Sequence, residues 1–182
     1  MKDKKVKGGK LSLALVMIVV MSLTISTVVY ARVRISLEKT TMATMMTQRL
    51  YTSGGGGTIR SSNKSVIKLT KDSKSIILTA RQAGVSRVTA TIGGVKKSFK
   101  VTVLNNKQIA ARVLKRVRMS YARANYTEMA RRGNCLYIWV YKPQGDGAPT
   151  MKVKVNLQTG RAVCGDGWAE FFSRVPKSFV VF

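Results

Sequence analysis

The chain contains no histidine, two cysteines, three prolines and 7 acidic residues among 182. Each shortage closes off some chemistry. Without histidine there is no side chain that titrates near neutral pH unaided, and so no ready general base. Two cysteines that form no Cys-x-x-Cys pair do not complete a zinc site, so neither a metal nor any other cofactor is expected. The carboxylate pair worth weighing, Asp146 and Asp166, lies in two Gly-Asp-Gly segments, and turn formation is the commoner reason for such segments. With no nucleophile and base set in view, the chain is not expected to be an enzyme. Gly54-Gly55-Gly56-Gly57 is not followed by Gly-Lys-Ser/Thr, which excludes a phosphate loop and reads as a flexible insertion.

Positive charge is what the chain has in excess: 33 lysines and arginines against 7 acids, a net +26. The first 31 residues use it in a particular order. Lys2, Lys4, Lys5, Lys7 and Lys10 precede an uncharged apolar run over 11–29, which closes on Val29-Tyr30-Ala31. Basic, apolar, then small-x-small is the order of an export signal. Two readings stay open for it: cleavage after Ala31, or retention of residues 11–29 as a membrane anchor with the lysines inside. Either sends the remainder out of the cytoplasm. Five of the basic residues and one acid fall in residues 1–31, which leaves 28 against 6 and a net +22 on the exported part. Charge of that size favours polyanionic partners. Outside a cell these are envelope polymers such as teichoic acids, anionic lipid headgroups, glycosaminoglycans or free nucleic acid; nucleic acid is not expected as the natural partner.

Residues 33–104 read as short strands between turn residues. Ile35 and Leu37 alternate with polar neighbours, β-branched runs cover 66–69 and 76–80, and alternation over 88–92 and 99–103 flanks Gly93-Gly94. Two period-2 runs across a Gly-Gly pair signal a hairpin, and strands this short at this spacing favour a β-sandwich. The residues are also recognisable. Ser61-Ser62-Asn63 followed by Val66, then Leu78-Thr79-Ala80 with Gly84 and Val88-Thr89-Ala90, resemble the "S-S-N-x-x-V" and "v-T-A-x-x-x-G-x-x-x-I-T-A" patterns of bacterial Ig-like group 2 (BIG2) domains of the invasin and intimin type. The resemblance implies an all-β Ig-like sandwich displayed at a bacterial surface, with no catalytic set. Where that family usually places tryptophan before Ser-Ser-Asn, Arg60 stands here, so another side chain must complete the core.

Residues 105–182 change period. Ile109, Val113, Val117 and Tyr121 recur every four residues, which predicts an amphipathic helix continuing to a stop at Gly133-Asn134. Its basic face, Arg112, Lys115, Arg116, Arg118 and Arg123 with Arg131 and Arg132, is the candidate polyanion site. Strands follow. In 135–141 one face holds Cys135, Tyr137, Trp139 and Tyr141, and the other Leu136, Ile138 and Val140. The aromatic set is either a platform for sugars or bases, or the face packed beneath the helix; the second is the commoner arrangement. Met151, Val153 and Val155 alternate with lysines, Gln158-Thr159-Gly160 turns the chain, residues 161–164 return, 168–174 suit a short helix, and 179–182 close the sheet. This is a small α+β domain, one helix on an antiparallel sheet. It loosely resembles cystatin-like and PepSY-like modules through Val155-Asn156-Leu157 and Thr159-Gly160. Cys135 and Cys164 suggest one disulfide in an oxidising compartment, or two buried thiols.

The expected architecture is thus a signal or anchor segment over 1–31, an Ig-like sandwich over 33–104 and an α+β domain over 105–182. The expected role is that of an exported cell-surface interaction protein that binds envelope polymer or a surface protein. The alternative is a basic module whose affinity for polyanions is mainly electrostatic.

Overall fold

The computed structural model describes residues 33–54, 57–71, 75–119, 124–141, 151–167 and 175–182. The export segment over 1–31 lies outside them. No described helix is long and apolar enough to cross a membrane.

Eight strands make two four-stranded sheets: β1 (Arg34–Leu37), β2 (Thr41–Ala43), β3 (Thr47–Ser53), β4 (Gly57–Ser61), β5 (Ile67–Lys71), β6 (Ile76–Ala80), β7 (Gly84–Ile92) and β8 (Val95–Leu104). One sheet runs β1-β3-β6-β5 and the other β2-β8-β7-β4. Alternate residues of both point inward, among them Ile35, Leu50, Ile67, Leu78, Val88, Ala90 and Val101, and all of these are buried. The strand order is that of an Ig-like sandwich, with the first strand shared between the sheets. β1 pairs antiparallel with β3, and β2 pairs parallel with β8. Gln48, on the inward face of β3, bridges the break between them. Its Oε1 accepts the Lys39 backbone N–H at 3.2 Å and its Nε2 donates to the Lys39 carbonyl at 2.8 Å. A buried amide thereby satisfies backbone groups that lose their ladder where the chain changes sheets. The pattern of 41–53 was not legible as strands because Gln48 and Met46 occupy inward positions that alternation reserves for branched apolar residues.

The sequence motifs have structural reasons. Gly93 and Gly94 both take positive φ, +53° and +76°, as a two-residue turn joining β7 and β8 requires. In Ser-Ser-Asn, Asn63 Oδ1 accepts from the Ser65 and Val66 N–H groups and the Ser65 hydroxyl, at 3.1, 3.3 and 2.6 Å. Ser61 Oγ lies 2.9 Å from the hydroxyl of buried Ser86. The motif is a polar turn pinned to β7. Gly84 sits at φ +151°, and a Cβ there would meet a Val66 methyl at 2.9 Å. Ile59 faces the core from β4 and is half-buried, whereas Arg60 is exposed on the outer side; the aliphatic neighbour supplies packing and the arginine does not.

Residues 105–182 hold helix α1 (Asn106–Arg118) and β9 (Asn125–Arg132), β10 (Cys135–Tyr141), β11 (Met151–Asn156), β12 (Arg161–Gly167) and β13 (Ser178–Val180). The strands form one antiparallel sheet in the order β13-β12-β11-β10-β9. Asn105 caps α1 reciprocally with Gln108, at 2.8 and 2.9 Å, a capping box worth about 1 kcal/mol. Ile109, Ala110, Val113, Leu114 and Val117 are buried on α1, facing Leu136, Ile138, Val140, Val153 and Val155 of the sheet.

The helix differs from expectation in its end. It stops at Arg118 with Met119 as its C-cap, and 125–132 is strand rather than helix. Gly133, at φ +55°, is not a helix stop but the first central residue of a two-residue hairpin between β9 and β10, where a II′-type turn favours glycine. Charged side chains at Glu128, Arg131 and Arg132 hid the period-2 pattern, which here is imposed by pairing with β10. The proposed short helix at 168–174 lies outside the described residues.

Residues 33–182 form one compact unit. Arg131 Nη1 donates to the Thr44 carbonyl at 3.0 Å, Gln158 Nε2 to the Thr47 carbonyl at 2.8 Å, and Lys39 Nζ to the Thr159 carbonyl. These join the sandwich to β9 and to the turn after β11.

Candidate functional site

The predicted basic face does not come together as one patch. Arg112, Lys115, Arg116 and Arg118 are exposed on α1, but three of the four guanidinium and ammonium groups are already engaged. Arg112 Nη1 donates to the Val181 carbonyl at 3.4 Å, Arg118 Nε to the Ala124 carbonyl at 2.8 Å, and Arg116 Nη1 approaches the Met119 sulfur at 3.3 Å. Arg131 is spent on the Thr44 carbonyl. Because 125–132 is strand, Arg131 and Arg132 point to opposite faces of the sheet. Arg123 lies outside the described residues, as do Asp146 and the side chain of Asp166.

The cysteines are free, and the topology explains why. Cys135 stands opposite Asn156 on β11, and Cys164 stands opposite Val153 on the other side of β11. Two strand spacings, about 9.6 Å, separate β10 from β12, already beyond the Cα separation a disulfide tolerates. Cys164 also shares the face of buried Val153, while Cys135 is on the other face. The expected bridge between Cys135 and Cys164 is therefore corrected to two separate thiols. Burial pushes the Cys164 thiol up from 9.0 to about 11, since a thiolate is disfavoured away from water.

The face away from α1 has the more coherent chemistry. Residues 135, 137, 139 and 141 of β10 are half-buried there, while 136, 138 and 140 are buried toward the helix. The aromatics do not pack beneath the helix, because α1 selects the aliphatic face: Leu136, Ile138 and Val140 fit its ridge of alanine, valine and leucine. The register sets Lys154 opposite Tyr137 and Lys152 opposite Trp139. Tyr137 and Trp139 have ring centroids 6.5 Å apart with planes tilted by 39°. Lys152 Nζ lies 5.0 Å from the Tyr137 centroid and 5.3 Å from that of Trp139, and Lys154 Nζ lies 5.9 Å from Tyr137. Each such contact contributes about 0.5–1 kcal/mol at a wet surface. The ring faces thus hold the two ammonium groups in place and offset part of the entropy cost of fixing long side chains. Arg132 and Arg161 flank this face through their pairing with Cys135 and Val180, and Glu128, opposite Trp139, is the acid beside it. The arrangement presents a fixed row of cations with an aromatic floor. It suits an anionic chain.

No family model matches the chain, and no curated protein does. Among solved structures, it is similar to the crystal structure of the S-layer protein rSbsC at 9% identity and TM-score 0.34, covering 72% of this chain and 22% of that one. It is also similar to the I9-I11 tandem from titin at 12% identity and TM-score 0.29, covering 74% and 62%. The chain therefore spans less than two thirds of either structure's length. At such scores the likeness adds nothing to the sandwich already evident from strand pairing.

Proposed function

We propose that this protein is exported and displayed at a bacterial surface, where the open face of the five-stranded sheet binds an anionic polymer of the cell envelope. The sandwich, read as a BIG2-type domain, presents that sheet and is not itself a catalyst. Lys152 held between the Tyr137 and Trp139 rings carries the reading. A lysine needed only for solubility has no reason to be ordered against two aromatic faces. A preorganised cation loses less freedom when an anion arrives. The basic, apolar, small-x-small order of residues 1–31 supports export, and the Ser61-Ser62-Asn63 turn with Gly84 supports the family reading.

Lipoteichoic acid binding tests it, measured across a salt series. Polyelectrolyte contact predicts a linear fall of log affinity with log salt. Lys152→Ala with Lys154→Ala should flatten the slope by about 1.4, two contacts at ~0.7 each for a flexible chain, and Trp139→Ala should weaken binding without changing the slope. Unaltered affinity in both variants would refute the site. Recovery of the intact chain among cytosolic proteins on cell fractionation would refute export.

A further inference from the structure

We propose a second, independent anion site on the sandwich, where the outer face of β7 and β4 turns around the β4 edge. It takes a chain bearing tetrahedral oxyanions, phosphate or sulfate esters. Two adjoining clefts of about 510 and 600 Å³ meet at Arg60 and Ser61. The first is lined by Arg60, Arg87 and Lys96 with the hydroxyls of Thr58, Thr89 and Thr91. The second continues past the edge along Lys64, Lys68 and Arg81. No acidic residue lines either cleft.

The pairing accounts for the cluster. Thr58 stands opposite Thr91, Arg60 opposite Thr89, and Lys96 opposite Thr91, so cations and hydroxyls interleave on the side turned away from buried Val88, Ala90 and Ile92. Three strands deliver Arg60, Arg87 and Lys96 to one cleft. Donors arriving from three directions match a tetrahedral anion, whose oxygens do not lie in one plane, better than a planar carboxylate, and guanidinium groups bind such anions through paired N–H donors.

These six cations also differ from Arg112 and Arg118 of α1 and from Arg131 of β9. Among the described residues none of their side chains donates a hydrogen bond or lies over a ring, whereas Arg112, Arg118 and Arg131 are spent on carbonyls. Unneutralised like charges gathered at one edge oppose folding; an anionic ligand would relieve that repulsion. The floor is held rigid, with Ser62 Oγ accepting the Arg87 N–H at 2.8 Å and Ser86 Oγ accepting the Asn63 N–H at 3.2 Å.

The test titrates the isotope-labelled chain with inorganic polyphosphate, dextran sulfate and polygalacturonate, following amide resonances. Polyphosphate or dextran sulfate should shift residues 58–64 and 87–96, and polygalacturonate should shift them at least tenfold more weakly; whichever of the first two binds tighter names the oxyanion as phosphate or sulfate. Arg60→Ser with Arg87→Ser should lower that affinity at least tenfold and leave shifts around Lys152 and Lys154 in place. Lys152→Ala with Lys154→Ala should do the converse, so failure of either site is read separately. The proposal is overturned if the wild-type chain shows no shifts in 58–64 and 87–96, or if polygalacturonate binds there as well as the esters.

Discussion

The two halves of the 33–182 unit solve the same burial problem differently. The sandwich covers each sheet's apolar face with the other sheet. Among the described residues the five-stranded sheet has no second sheet, and it covers one face with α1. The consequence is asymmetry. Both inner faces of the sandwich are consumed by its own core, and only outer surfaces and edges remain for ligands. The C-terminal sheet keeps a whole face free of α1, and there aromatic side chains are retained half-buried with lysines against them. Where one helix does the covering, it also decides which face is left for binding.

That difference is open to direct tests. Val113 is fully buried on the sheet-facing side of α1. Val113→Asp places an unpaired carboxylate there, at a cost of about 4 kcal/mol. Hydrogen exchange should show β9–β12 losing protection while β6–β8 keep theirs; equal loss throughout would show that the halves fold as one. A smaller effect compares two glycines. Gly84→Ala forces a methyl against Val66 at φ +151°, and Gly160→Ala at φ +73° forces one against the Phe182 backbone. Each should cost about 1–3 kcal/mol by chemical denaturation, with Gly160 the more damaging because backbone yields less than a valine methyl. The smallest effect concerns the thiols. The folded Cys164 pKa is raised, so the folded state disfavours the thiolate. Stability is therefore unaffected below pH 9 and declines as pH rises from 9 toward 11. Alkylation should leave Cys164 unlabelled until the pH nears 11. Oxidation should produce no two-hydrogen mass deficit within the chain.

Much of the architecture was legible in local pattern. The Gly93-Gly94 hairpin, the alternation of 151–155 and the start of the helix after Asn105 need only neighbours in sequence. The strand at 125–132 was not legible, since Tyr126, Glu128 and Arg132 form no apolar stripe and are extended because β10 offers them a ladder. Nor was the engagement of Arg131 with Thr44, which joins residues 87 positions apart. Of the candidate basic residues, sequence spacing put Arg112, Lys115, Arg116 and Arg118 on one helix correctly, but it had no means of showing that carbonyls would occupy Arg112 and Arg118. The cations around Arg60 went unremarked, because they are scattered over 60–96 and only strand pairing gathers them.

By itself the sequence determined the sign and scale of the charge, the absence of histidine, and the alternation that makes strands, because composition and side-chain period are properties of the chain alone. Tertiary structure decided which face of β10 the helix took, that Cys135 and Cys164 stand on opposite sides of a sheet, and which cations are left unpaired. Those outcomes depend on register and packing between distant segments, where a shift of one residue turns every side chain to the other face.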